Sequence, residues 1–165
     1  MIEEIKNSIS KDFSNLSFDL KNWKEILKDS SEVSVFHLES SIEYYAAYYE
    51  GINISFLLHE NNTPLALLPL FAYKEENQWI ISTNGEGIIG PLFVQDTPKK
   101  LRKRLEKQII EILYIIFNKL KIEKVRFFEP NLILSSWYLL WLEKNYKDFL
   151  KYQLAIDLRK SIEDI

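Results

Sequence analysis

The chain has no cysteine, one methionine, two histidines (His37 and His59) and four glycines among its 165 residues. Without cysteine there is no disulfide framework, no thiolate nucleophile and no cysteine-based zinc site, and a reducing compartment is compatible with the sequence. Two histidines give no basis for a histidine-rich metal centre, so no metal is expected. The longest apolar runs, "PLALLPLFAY" and "IIEILYIIF", stop well short of the ~20 residues that span a bilayer, and the second contains Glu111. The N-terminal "MIEEIKNSISKDF" is charged and lacks the apolar stretch of a secretory signal. No repeat, low-complexity tract or Pro/Gly/Ser-rich linker divides the chain. A net charge of -3 exerts no general pull on nucleic acid or anionic membrane, so such a partner would need a local basic patch. These absences together lead us to expect a cytoplasmic protein without a membrane span.

What is present suits one folded unit with a core: 47% of residues are hydrophobic and 27% charged. Helical spacing of Leu20, Trp23, Ile26 and Leu27 predicts a helix over Asp19–Asp29, with Asp19 as its cap. A brief extended piece, Val33–Leu38, precedes a second helix that Ser40 or Ser41 would cap and Gly51 would stop. Two β-rich segments flank "ENNTP", which predicts a hairpin, and Gln78–Asn84 supplies a third strand. Leu101, Leu105, Ile109, Ile112, Ile116 and Leu120 keep a helical rhythm from Pro98 to about Lys121, with Thr97 as cap. A strand ending at Pro130, an aromatic-rich helix from Ser135 or Ser136 and a final strand over 149–158 complete the order. That order implies an α/β (α+β) fold: a mixed central sheet with helices on both faces.

Three of the four glycines fall in "GEGIIG", residues 85–90, which spells G-x-G-x-x-G. A dinucleotide turn needs its last glycine to open a helix, so that helix amides meet the pyrophosphate. Here "PLFVQDTP" follows Gly90, and Glu86 would repel a phosphate. The stretch therefore reads as a bend or strand-end bulge, with a different ligand as the alternative.

Few residues stand out as chemical groups. His37 could act as an acid or base near neutral pH, although a hydrogen-bonded structural histidine is the commoner case. Glu86 and Glu129 lie at strand ends, where either could position an amine. Lys99, Lys100, Arg102 and Lys103 crowd the start of the long helix, where the dipole disfavours cations. They are a candidate anion site or else a solvated face. Tyr44, Tyr45, Tyr48, Tyr49, Trp137, Tyr138 and Trp141 have helical spacing and read as core, part of which could meet a second lobe.

The order of elements resembles the GNAT acetyltransferase fold, and local phrases resemble the FemAB-like and BioF2-like acyltransferases, which carry two such lobes in tandem. "SVFHLESSIEYY" is similar to an early segment of that group, with Ile42 or Tyr44 near the place of a frequent tryptophan. "TPLALLPLFAYKE" resembles its second hairpin strand, and "GIIGPLFV" its strand end, with Ile89 in place of an arginine. "YQLAIDLRKSIEDI" is similar to the passage that joins its two lobes. The resemblance implies an N-terminal lobe over 1–158 and, from 159 to 165, the start of a linker helix toward a second lobe, in cis or from a homodimer mate. It further implies N-acyl transfer to a small amine or peptidoglycan-precursor acceptor, with Gly85, Glu86, Gly87, Gly90 and Pro91 lining part of the acceptor cleft. The donor of the whole protein would be an acyl-CoA or an aminoacyl-tRNA, with no cofactor in this lobe. Single-lobe GNAT enzymes hold coenzyme A on a glycine-containing turn. The matching "FVQDTPKKLRKR" has no glycine, which leaves a self-contained enzyme as the alternative and an anion-binding module as a third reading.

Overall fold

The computed structural model describes residues 2–122, 124–128 and 136–142. Its centre is one long hairpin. β2 (Ile52–Asn53) and β3 (Phe56–Glu60) form the first arm; β4 (Thr63–Leu68) and β5 (Phe71–Glu75) form the second. Asn61 and Asn62 both take positive φ (49° and 66°), as a two-residue hairpin turn demands, so the asparagines predicted to turn the chain do so. The pairs Phe56–Leu68 and Ile52–Ala72 belong to one register, and between them Ile54 N donates to the Leu70 carbonyl at 2.9 Å.

In this register Pro69 stands opposite Ser55 at a non-hydrogen-bonded position, so its missing N–H faces the neighbouring strand. Between the arms the Leu70 amide donates to Ser55 Oγ at 2.8 Å instead of to the ladder. The ladder therefore divides into a four-stranded sheet, β1-β3-β4-β7, and a three-stranded sheet, β2-β5-β6. β1 is Leu16–Ser17, β6 Gln78–Ser82 and β7 Leu92–Phe93, and every one of these ladders is antiparallel. The expected mixed α/β fold is present, with its sheet in two pieces joined by the hairpin. A parallel bridge, Ile88–Phe127, lies outside these strands.

The two-residue alternation of the strands decides what each face covers. Phe56, Leu58, Leu68 and Ala72 point to one side. There they meet Ile2, Ile5 and Ile9 of α1 (Ile2–Asp12) and Leu105, Ile109, Ile112, Leu113 and Ile116 of α4 (Lys99–Leu120). Trp137 and Trp141 of α5 (Ser136–Leu142) close the same core. Leu57, Leu67, Phe71 and Tyr73 point to the other side, against Trp23 and Ile26 of α2 (Trp23–Lys28) and Ile42 and Ala46 of α3 (Glu39–Tyr48).

Several local expectations change. α1 was not expected; its isoleucines at positions 2, 5 and 9 make the stripe that docks on α4. Val33–Leu38 is not extended, for Val35–His37 is a single 3₁₀ turn. Thr97 does not cap α4, because its hydroxyl donates to the Val94 carbonyl at 2.6 Å and Pro98 occupies the cap position. Asp19 accepts from the Lys21 amide in a turn before α2 rather than capping the helix. Left-handed geometry after α3 falls on Glu50 (φ 51°), one residue before Gly51. Glu129, the strand end at Pro130, the helix beyond Leu142, the final strand over 149–158 and the tail over 159–165 lie outside the described residues.

Candidate functional site

Opposite Pro69 the neighbouring strand bulges. Ser82 pairs with Phe71 and Leu92 with Leu67, so ten residue steps on one strand face four on the other. The excess is the glycine stretch. Thr83 reaches across the gap, its hydroxyl donating to the orphaned Pro69 carbonyl at 2.9 Å. The remaining bonds are made within the bulge: the Ser82 hydroxyl accepts from the Gly85 amide (2.8 Å), and Asn84 Oδ1 accepts from the Glu86 and Gly87 amides (2.9 and 3.1 Å).

This network settles the phosphate question. The amides of all seven residues from Thr83 to Ile89 have acceptors: Gly87 O, Ser82 Oγ twice, Asn84 Oδ1 twice, Arg126 O and Thr83 Oγ1. None of these seven N–H groups is left to cradle an anion, and α4 begins only at Lys99. Gly85 and Gly87 are needed for steric reasons instead. Gly85 has φ +84°, and a Cβ there would overlap the Tyr49 hydroxyl. A Cβ on Gly87 would stand 2.9 Å from the Arg126 carbonyl.

Beside the bulge lies a groove of about 230 Å³ between β6 and residues 124–126. Gly85, Glu86 and Gly87 line it together with Tyr73, Glu75, Gln78, Lys124 and Arg126. Both charge signs thus line it together with Ile80 and Ile81. Burial, reinforced by Tyr49 and Glu75, raises the Tyr73 phenol above its ordinary pKa, while Arg126 pulls it the other way. The groove therefore takes three of the five residues predicted for an acceptor cleft. It adds Tyr73, Glu75, Gln78, Lys124 and Arg126, which sequence reasoning missed. The one signal for the last two was their alternate spacing in "KVRFF", which puts both on one face of an extended segment.

Gly90 and Pro91 are on the closed flank. Pro91 is buried, and Gly90 packs on the Trp137 ring. The Gly90 carbonyl also receives the predicted acid/base residue, His37, at 3.2 Å from Nε2. His37 Nδ1 accepts from the Ser34 amide (3.1 Å), which places the ring proton on Nε2. Only 5% of His37 is exposed. Burial pushes its pKa below the ordinary histidine value, against the Gly90 carbonyl and the charge of Glu32. A further bond joins the region to the core: Trp23 Nε1 donates to the His37 carbonyl at 2.8 Å. Held at both nitrogens, His37 clamps the 3₁₀ turn to the bulge and stands apart from the groove.

The predicted anion set also divides. Arg102 bonds Glu32 at 2.9 Å, faces the buried Glu106 at 3.7 Å and lies over the Phe93 ring at 4.7 Å. Ser136 donates to Glu106 at 2.7 Å, so this cluster ties α4 to α5. Lys99, Lys100 and Lys103 are exposed on the outer face of α4. Of the tyrosines on α3, Tyr44 and Tyr48 are 63% and 69% exposed, whereas Trp137 and Trp141 are buried.

Among the described residues no cluster of three metal-ligating side chains forms, and no helix is long and apolar enough to cross a membrane. Comparison with protein-family models, with curated proteins and with solved structures returned no match.

Proposed function

We propose that this chain is a GNAT-like lobe that holds the amine acceptor of an acyl- or aminoacyl-transfer reaction, with the donor held by a second lobe or a second copy. One observation carries the reading: the groove at the glycine bulge opposes Glu75 and Glu86 to Lys124 and Arg126 beside the Tyr73 phenol. Carboxylates can seat an ammonium group, and the cations can seat an anionic tail of the same molecule. The approach to α4 supports a donor held elsewhere. It contains no glycine, places Asp96 at φ 64°, and caps the helix with a proline. An acid at that point repels a pyrophosphate, and the segment lacks the small residues that let backbone wrap one.

Backbone ¹⁵N NMR tests both halves. Millimolar L-lysine should shift the amides of Glu86, Gly87 and Arg126, and acetyl coenzyme A should leave those of Lys99 to Leu101 in place. Strong shifts at the start of α4 with acetyl coenzyme A would favour a self-contained acetyltransferase. No response to the amine would remove the acceptor reading.

A further inference from the structure

Among the described residues β6 is the outer strand of its sheet, so half of its main-chain groups face away from β5. The turn identifies which half. Glu76 and Asn77 both take positive φ (49° and 65°), forming a two-residue hairpin whose flanking pair, Glu75–Gln78, is hydrogen-bonded. Alternation then makes Tyr73–Ile80 and Phe71–Ser82 bonded pairs as well. The amides and carbonyls of Trp79 and Ile81 are left pointing outward, into the groove, and have no main-chain partner among the described residues.

The opposite wall is also extended chain. Phe127 bridges to Ile88 in parallel, with Arg126 O accepting from the Ile88 amide and Ile88 O from the Phe128 amide, both at 2.9 Å. Below that bridge, residues 124–126 and β6 stand apart, and the groove occupies the gap. Its two faces differ. Trp79, Ile81, Val125 and Phe127 belong to the core packed on α4. Tyr73, Glu75, Gln78, Lys124 and Arg126 line the other, polar side.

We propose that this groove binds an extended peptide as an added strand between β6 and residues 124–126. Two donors and two acceptors on Trp79 and Ile81 are, among the described residues, the unfilled half of an antiparallel or parallel ladder. The five residues of β6 offer an edge of roughly 13 Å, the length of about four peptide residues. Because one wall face is apolar and the other charged, the fitting peptide alternates apolar and charged side chains. Its acids meet Lys124 and Arg126, and its bases meet Glu75 and Glu86. The inference goes beyond the acceptor reading and can fail separately from it, since a peptide with no free amine serves as the probe.

The experiment is amide hydrogen exchange on the full chain, free and with acetyl-Val-Glu-Val-Arg-Val-amide at millimolar concentration. In the free protein Trp79 and Ile81 should exchange fast while Ile80 and Ser82 are protected. Peptide should slow Trp79 and Ile81 by about tenfold or more, and the same peptide with N-methylated backbone amides should not. Protection of Trp79 and Ile81 without peptide would overturn the proposal, because the edge would already be occupied. So would the absence of slowing, or equal slowing by the N-methylated peptide.

Discussion

The glycine bulge has two flanks built from the same nine residues, and they are used in opposite ways. On the closed flank, Gly90 rests on Trp137, Pro91 is buried, and His37 bonds the Gly90 carbonyl. On the open flank, Gly85 to Gly87 border a groove whose charged side chains reach solvent. The backbone is held on both sides, by acceptors for every amide from Thr83 to Ile89 and by His37 on the Gly90 carbonyl. The difference lies in the side chains. The closed flank spends them on packing, and the open flank lines a groove with them.

Four substitutions grade that contrast. Gly85→Ala strikes the shared frame: a Cβ at φ +84° is strained and collides with Tyr49, which is itself packed on Phe71 and Tyr73. A loss of roughly 2–4 kcal/mol in urea unfolding is expected. His37→Gln strikes the closed flank and should cost about 1–3 kcal/mol by leaving Ser34 N or Gly90 O without a well-placed partner.

The same histidine gives a pH signature. Its native pKa lies below that of the unfolded chain, so between those two values the unfolded state binds the extra proton. Stability should therefore fall as pH drops below about 6.5, with a slope of at most about 1.4 kcal/mol per pH unit from this group. His37→Gln should flatten that part of the curve, measured by urea midpoints from neutral pH downward. The smallest effect belongs to the open flank. Lys124→Gln and Arg126→Gln should each change stability by less than about 0.5 kcal/mol while abolishing the NMR response to lysine. If Arg126→Gln costs as much stability as His37→Gln, the two flanks are not different in kind.

What could be read from the letters follows from how local each feature is. "ENNT" turns where two adjacent asparagines accept positive φ, and α4 carries its buried stripe within its own 22 residues. The glycine fingerprint could be rejected on helix spacing alone. α1 escaped notice because eleven half-charged residues make a marginal helix without a partner, and its partner α4 lies about ninety residues on. The groove was legible only on one side. Glu86 and its glycines are contiguous, but Tyr73, Lys124 and Arg126 join them through strand register and the Ile88–Phe127 bridge, which no local pattern encodes. His37 was singled out as an acid/base candidate or a hydrogen-bonded structural residue, and both of its ring nitrogens are hydrogen-bonded. Its role depends on Gly90, 53 residues away, and that distance hid the clamp.

Pro69 has an outcome beyond the break in the ladder. Pairing on either side of it is set independently, by β4 with β7 and by β5 with β6. The residues between Ser82 and Leu92 answer to neither register, and Glu86 at their tip is exposed. The tip is held instead by its own amides, by Thr83 on the Pro69 carbonyl and by the Ile88–Phe127 bridge. The exposed side chain at position 86 can therefore be exchanged, and the wall of the groove recut, while both sheet registers stay the same.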